Sequence, residues 1–254
     1  MKLPDEILGR KIEGAYQEYL KRTKTKKPRV KQDKLVKPIN IQNPESYIIL
    51  EGRTHGSYSY PDLLVCMEKT HHNKDWYKTH EALHKEDSLM LTIRQFVDFI
   101  NLLKTGKGFN GKGNKVDKAT LDKILDKILT VRSPWRAEWL DADFKVVNDE
   151  LYINYNHRAV NGELKPQNSE LLEECLMKDK TPGISLGYWL KNATKQGLPP
   201  KDIPNGKLYY WFPRKDNNSV ARFGADSGGA YLDCGRFPRS SGSALGVRAA
   251  KIKG

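Results

Sequence analysis

The apolar positions change period several times along the chain, and each change marks an element. Leu3, Ile7, Leu8, Ile12, Ala15, Tyr16, Tyr19 and Leu20 recur at helical spacing, which predicts a short amphipathic helix over 3–20. Ser46-Tyr47-Ile48-Ile49-Leu50-Glu51-Gly52 is a compact apolar run closed by glycine, a strand with which the main domain begins. Residues 58–67 fit either a second strand or a loop leading into a helix. Thr92 can cap a helix over 93–104, with Phe96, Val97, Ile100 and Leu103 on one stripe and Gly106 just past its end. Asp117 can cap another over 118–130, in which Leu121, Ile124, Leu125, Ile128 and Leu129 recur at three and four.

Between those helices, Lys107 to Gly113 is glycine-rich and predicts a loop. It lacks the Gly-Lys-Ser/Thr ending of a phosphate-binding loop. After Pro134 the pattern turns to strands over 135–147 and 151–155. Residues 169–177 and 185–195 read as helices, 208–212 as a strand ended by Pro213, and 245–252 as a closing strand able to pair with the first. Two long helices among short strands, without βαβ alternation, predict an α+β fold.

Composition adjusts this picture in three places. Charged residues make up 30% and no apolar run approaches the roughly 18 residues of a membrane span, so a soluble protein is expected. Residues 1–20 lack the basic-apolar-small order of a secretory signal, because Asp5, Glu6 and Glu13 interrupt it. A cytoplasmic or virion-associated location follows as an expectation. Cys66, Cys175 and Cys234 are far apart and odd in number, which predicts reduced thiols rather than a disulfide framework. The net charge of +13 is concentrated in 21–37, where nine Lys or Arg face the single Asp33. With no aromatics interleaved for base stacking, that stretch reads as a solvated connector rather than a nucleic-acid arm. Residues 1–45 are therefore an N-terminal helix and basic connector, and 46–254 the main domain.

One catalytic motif stands out. His80-Glu81-Ala82-Leu83-His84 matches HExxH, which on a helix puts two imidazoles on one face for zinc, with Glu81 as base. A third ligand is needed, and the next histidine, His157, lies far along the chain beyond two helices. The neighbouring Lys85-Glu86-Asp87 offers no continuation of the motif. The expectation is an exposed helix with Ala82 and Leu83 inward and the histidines in water, without metal. His71 and His72 as further ligands are weaker still. The alternative functions kept open are an HExxH zinc metallohydrolase and a basic nucleic-acid-binding protein.

The last stretch of chain differs from all that precedes it. From Asp216 to Ala250 there is no Lys, Glu, Gln, Met or Trp. Small or apolar residues recur there as Ala225, Ser227, Ala230, Leu232 and Cys234, which predicts one strand with a bulge at Gly228-Gly229. Ala221-Arg222-Phe223, those same positions, Pro238, Ser241, Ser243 and the Leu245-Gly246-Val247-Arg248 ending together resemble the variable proteins of diversity-generating retroelements, especially archaeal and viral members. In that family adenines of a template are randomised, chiefly in AAC codons. Randomising the first two bases reaches every residue type except Lys, Glu, Gln, Met and Trp.

The resemblance implies a C-type lectin-like fold with a small twisted antiparallel sheet, two main helices and a loop-rich C-terminal binding region, 219–246. It implies no enzymatic activity, no cofactor and no metal; the calcium motifs of sugar-binding lectins are absent from the sequence. The displayed, variable positions are then Gly224, Asp226, Gly228, Gly229, Tyr231, Asp233, Gly235, Arg236, Phe237, Arg239, Ser240, Gly242 and Ala244. Tyr231, Phe237, Arg236 and Arg239 are the expected anchors. The scaffold beneath is Ala225, Ser227, Ala230, Leu232, Cys234, Pro238 and Trp211, with Phe212. The partner is a protein or surface ligand, not nucleic acid.

Overall fold

A computed structural model describes residues 43–172 and 174–254, together with Glu6–Ile7 and Arg10–Lys11. The described residues fall into two units, one holding Glu6–Ile7 and Arg10–Lys11 and the other 43–172 and 174–253. In the first, Glu6–Ile7 pairs antiparallel with Arg10–Lys11. The helix expected over 3–20 is therefore broken at those positions. Gly9 lies between them in sequence, and a glycine inside a helix costs about 1 kcal/mol relative to alanine. The rest of that segment and the basic stretch 21–37 lie outside the described residues.

The second unit is mixed α+β with mostly antiparallel sheets. Among the described residues no helix is long and apolar enough to cross a membrane. The helices follow their caps. Helix α1, Trp76–Lys85, starts where Asp75 accepts the Lys78 amide at 2.8 Å. Helix α2, Ile93–Thr105, carries a reciprocal box: Thr92 Oγ1 accepts from the Gln95 amide at 3.2 Å and Gln95 Oε1 from the Thr92 amide at 2.9 Å. It stops at Gly106, whose φ of 64° suits a residue without Cβ. Helix α3, Lys118–Leu129, is capped by Asp117, and the short α4, Leu186–Asn192, by Ser185.

One sheet gathers the chain ends of this unit in the order β1 (Tyr47–Leu50), β2 (Leu63–Cys66), β12 (Ala249–Ile252) and β3 (Leu89–Met90). The first and closing strands thus share a sheet with β2 between them. The larger sheet runs β6 (Asn168–Leu171), β5 (Glu150–Tyr155), β4 (Arg136–Val147), β9 (Ser219–Ala225), β10 (Ala230–Arg236), β8 (Leu208–Trp211) and β7 (Lys180–Ile184). The short β11, Leu245–Gly246, adds to β4 in parallel, and β8 pairs with β10 in parallel. Phe96, Val97 and Ile100 of α2 pack with Trp189, Tyr210, Phe223 and Leu232 in the main core. Trp76, Leu83, Trp139, Val220, Leu245 and Val247 form a second cluster.

Three expectations are corrected. Residues 169–177 are not a helix: Tyr152 faces Leu171 across β5 and β6, and Tyr155 donates to Glu170 at 2.7 Å. Pairing along the open edge of β5 outweighs the local helix propensity. The 107–113 loop holds an element after all, a tight antiparallel pair of Gly108–Phe109 with Lys115–Val116, turned by Asn110. The bulged single strand at 225–234 is in fact a hairpin, with Ala225 paired to Ala230. Asp226 Oδ1 accepts from the amides of Gly228 at 2.8 Å and Gly229 at 3.3 Å, so the doubled glycine closes a turn. Cys66, Cys175 and Cys234 are free thiols.

Candidate functional site

Cross-strand partners share a face of a sheet, so the register of β8, β9 and β10 sorts their side chains. Tyr210, Leu232 and Phe223 align across the three strands and are fully buried toward α2. The opposite face presents Tyr209 beside Tyr231 beside Gly224, and Trp211 beside Asp233 beside Arg222. Core and recognition candidates therefore alternate along one backbone.

The outer face is a packed layer of aromatic and charged groups. Trp211 meets Tyr231 edge-on at 5.3 Å and stacks on Tyr209 at 6.1 Å. The Arg222 guanidinium lies 5.2 Å from the Tyr231 ring and 5.7 Å from Trp135, and Nε donates to Asp233 at 3.0 Å. Arg214 lies 3.5 Å from the Phe237 ring. Burial raises the Tyr231 pKa, with Arg222 opposing, so the phenol stays protonated at neutral pH. Burial and then Arg222 lower that of Arg236.

Of the positions expected to be displayed, Gly228, Phe237 and Arg239 are exposed, and Asp226, Gly235, Arg236, Ser240, Gly242 and Ala244 are half-buried. Four are buried: Gly224, Gly229, Tyr231 and Asp233. Tyr231 retains only 3% of its surface because Trp211 and Arg222 cover it and its ring lies against Gly224. Among the scaffold positions, Ala225, Leu232, Cys234 and Pro238 are buried as expected. Ser227 is exposed because it sits in the turn, Ala230 is half-buried, and Trp211 is 36% exposed because it is on the outer face. Sequence reasoning missed Arg222, Tyr209 and Trp135, which only the strand register brings to this face.

The HExxH segment gives a different result from the one expected. It lies on α1, but His80 is fully buried and Leu83 with it, while Glu81 is exposed. His157 returns beside it: the imidazoles of His80 and His157 are 5.4 Å apart, and Trp76 meets both edge-on. Asp141 completes the group. Between Trp139 and Asp143 the β4–β9 register shifts, and there the Asp141 amide donates to Leu91 instead. Asp141 accepts from His157 twice, from Nδ1 at 2.5 Å and from the backbone amide at 2.9 Å. His84 Nε2 lies 3.3 Å from the His157 carbonyl.

His80, Asp141 and His157 offer ligand atoms within 4.8 Å of one another. Two imidazoles and a carboxylate fit a transition metal in kind. In geometry they fit poorly: the 2.5 Å approach of His157 to Asp141 is a hydrogen bond, and a closed site wants four ligands. Burial lowers the His80 pKa to about 3, so its ring is neutral. Burial pushes Asp141 up, but His157, through its charge and its two hydrogen bonds, holds it below the usual carboxylate range. His157 and Asp141 form a buried clamp between β4 and the end of β5; His80 of α1 packs beside it with both ring nitrogens buried and without a hydrogen-bond partner among the described residues, and Glu81 is on the exposed side. No protein-family model, curated protein or solved structure matches this chain.

Proposed function

We propose that the chain is a non-enzymatic ligand-binding protein of C-type lectin-like fold. Its 219–246 region is diversified in the manner of retroelement variable proteins to recognise varied protein ligands. The observation that carries the reading is the two-faced hairpin. Phe223, Leu232 and Cys234 are fully buried on one side, while Arg222, Tyr231 and Asp233 line the other and Trp211 and Phe237 stand exposed beside them. A surface that must accept many side chains needs a core built from other residues, and this alternation supplies one. The absence of Lys, Glu, Gln, Met and Trp from 216–250 supports the same reading, since those are the types an AAC-based scheme does not reach. Aromatic and Arg groups of the kind that dominate interface hot spots supply the contact chemistry.

The corrected displayed set drops Gly224, whose added Cβ would lie 2.7 Å from the Arg136 carbonyl. It gains Trp211 and Arg222 as fixed partners. Sequencing the DNA flanking the gene is the test. The reading expects a near-copy of its 3′ end beside a reverse transcriptase gene, with adenines at the codons for Gly235, Arg236, Phe237 and Arg239. A flank without any such repeat overturns the diversification part.

A further inference from the structure

Near the Trp135 end of the outer face lies a cavity of about 290 Å³ whose wall is crowded with cations. Lys69, Lys127, Arg132, Arg136 and Arg248 all line it. Carboxylates answer two of them. Glu68 pairs with Lys127, and Glu138 holds Arg248 through Nε at 3.1 Å and Nη2 at 3.0 Å. Among the described residues, no carboxylate pairs with the other three.

Lys69 and Arg136 meet dipoles instead of charges, and Arg132 is exposed. Lys69 Nζ donates to the carbonyls of Ala137 at 3.0 Å and Ala244 at 3.1 Å. Arg136 donates through Nη2 to Asp126 at 3.0 Å and Thr130 at 2.8 Å, and through Nε to Lys127. These are the terminal carbonyls of α3, worth about half a negative charge together. Arg136 Nη1 is buried without a hydrogen-bond partner, although the residue keeps only 9% of its surface. An unsatisfied N–H on a buried cation is costly. Lys69 feels the crowding: burial first, then Arg248, Arg136 and Arg132 lower its pKa, with Glu138 opposing. Beside the cations stand Pro134 and the half-open ring of Trp135.

We infer that this cavity binds a phosphate monoester, its phosphate on Lys69, Arg132 and Arg136 and its organic group against Trp135. Three cations without a carboxylate partner suit a dianion with several acceptor oxygens better than a lone carboxylate. The volume lies at the small end of the range for ligand sites, enough for a phosphate and a ring. The inference does not rest on the proposed recognition function, although the site borders that face through Trp135 and Ala244. A free metabolite and a phosphorylated side chain present the same group, and either satisfies it.

Calorimetry on the full chain at fixed ionic strength decides the matter, with inorganic phosphate, phenyl phosphate, a phosphoserine peptide and benzoate as probes. Phosphate is expected to bind and benzoate not, with phenyl phosphate tighter than phosphate and Trp135→Ala abolishing that gain. Arg132→Ala and Lys69→Met should each weaken binding by about tenfold or more. Comparing phenyl phosphate with the peptide separates a free ligand from an attached one, and tight binding of either upholds the site. Arg132 is exposed, so its variant reports on binding even if Lys69→Met folds poorly. No binding at millimolar phosphate, or binding unchanged in Arg132→Ala, overturns the inference.

Discussion

Gly224 and Tyr231 face each other across the β9–β10 hairpin so closely that a Cβ at 224 would lie 2.5 Å from the Tyr231 hydroxyl. The phenol end of the tyrosine fills the space where a side chain is missing. This pair fixes how the outer face is built: a glycine floor, an aromatic laid on it, and Trp211 and Arg222 closing over the aromatic.

Gly224→Ala is therefore expected to destabilise the fold by about 1–3 kcal/mol, as overpacking does. In a Tyr231→Ala background the same Gly224→Ala change should cost less but not vanish, because the Arg136 carbonyl still lies 2.7 Å from the new Cβ. Urea unfolding of the wild type, both single variants and the double variant measures both terms. A Gly224→Ala cost of zero in that background would show that the backbone contact is soft.

Neighbouring positions along β10 and the loop after it should separate cleanly. Leu232→Ala opens a cavity in the main core and should cost about 2–5 kcal/mol. Phe237→Ala, at a residue 49% exposed, should change stability by less than about 0.5 kcal/mol. Tyr231→Ala falls between them, since the ring is buried on the outer face. Thermal melting of the single variants ranks them, and a Phe237→Ala loss as large as that of Leu232→Ala contradicts the assignment.

The buried clamp makes stability depend on acid. Folded His80 resists protonation down to a pKa of about 3, while unfolded histidine takes a proton near about 6.5. A depressed folded value means the stability is fully present above 6.5 and is lost as pH falls toward 3. Asp141, also depressed, adds a loss below the ordinary carboxylate range. Between pH 7 and pH 5 the His80 contribution alone amounts to about 2 kcal/mol. Urea midpoints across that range should fall steeply in the wild type and less steeply in His80→Gln. Equal slopes in both would remove His80 from the account.

The clamp is expected to need no metal, because a direct hydrogen bond already joins His157 to Asp141. Dialysis against a strong chelator should leave the melting temperature unchanged, and Glu81→Gln should do the same. A drop of several degrees after chelation, reversed by zinc, would restore the metal reading of HExxH.

What the sequence made legible was local. Helices α2 and α3 were readable because Thr92 and Asp117 cap them and an apolar stripe follows each cap. The alternation of Tyr231, Leu232 and Asp233 was readable because a strand has period two. The hairpin was misread because Gly228-Gly229 satisfies both a bulge and a turn, and the Asp226 hydrogen bonds that choose the turn are not a spacing. His157 was set aside as too distant from His84, yet the register shift in β4 turns Asp141 to meet it. The resemblance implies Trp211 in the scaffold, whereas its pairing with Asp233 puts it on the outer face.

The most direct measurement is a pair of display libraries scored for protease resistance and for binding. One randomises Gly235, Arg236, Phe237, Arg239, Ser240, Gly242 and Ala244, and the other Ala221, Phe223, Leu232 and Cys234. The account predicts that most members of the first library stay folded and yield specific binders to unrelated proteins, with binding lost when Phe237-equivalent side chains are cut to alanine. It predicts that the second library mostly unfolds. If the first library unfolds as readily as the second, residues 235–244 are structural and the recognition face is not there.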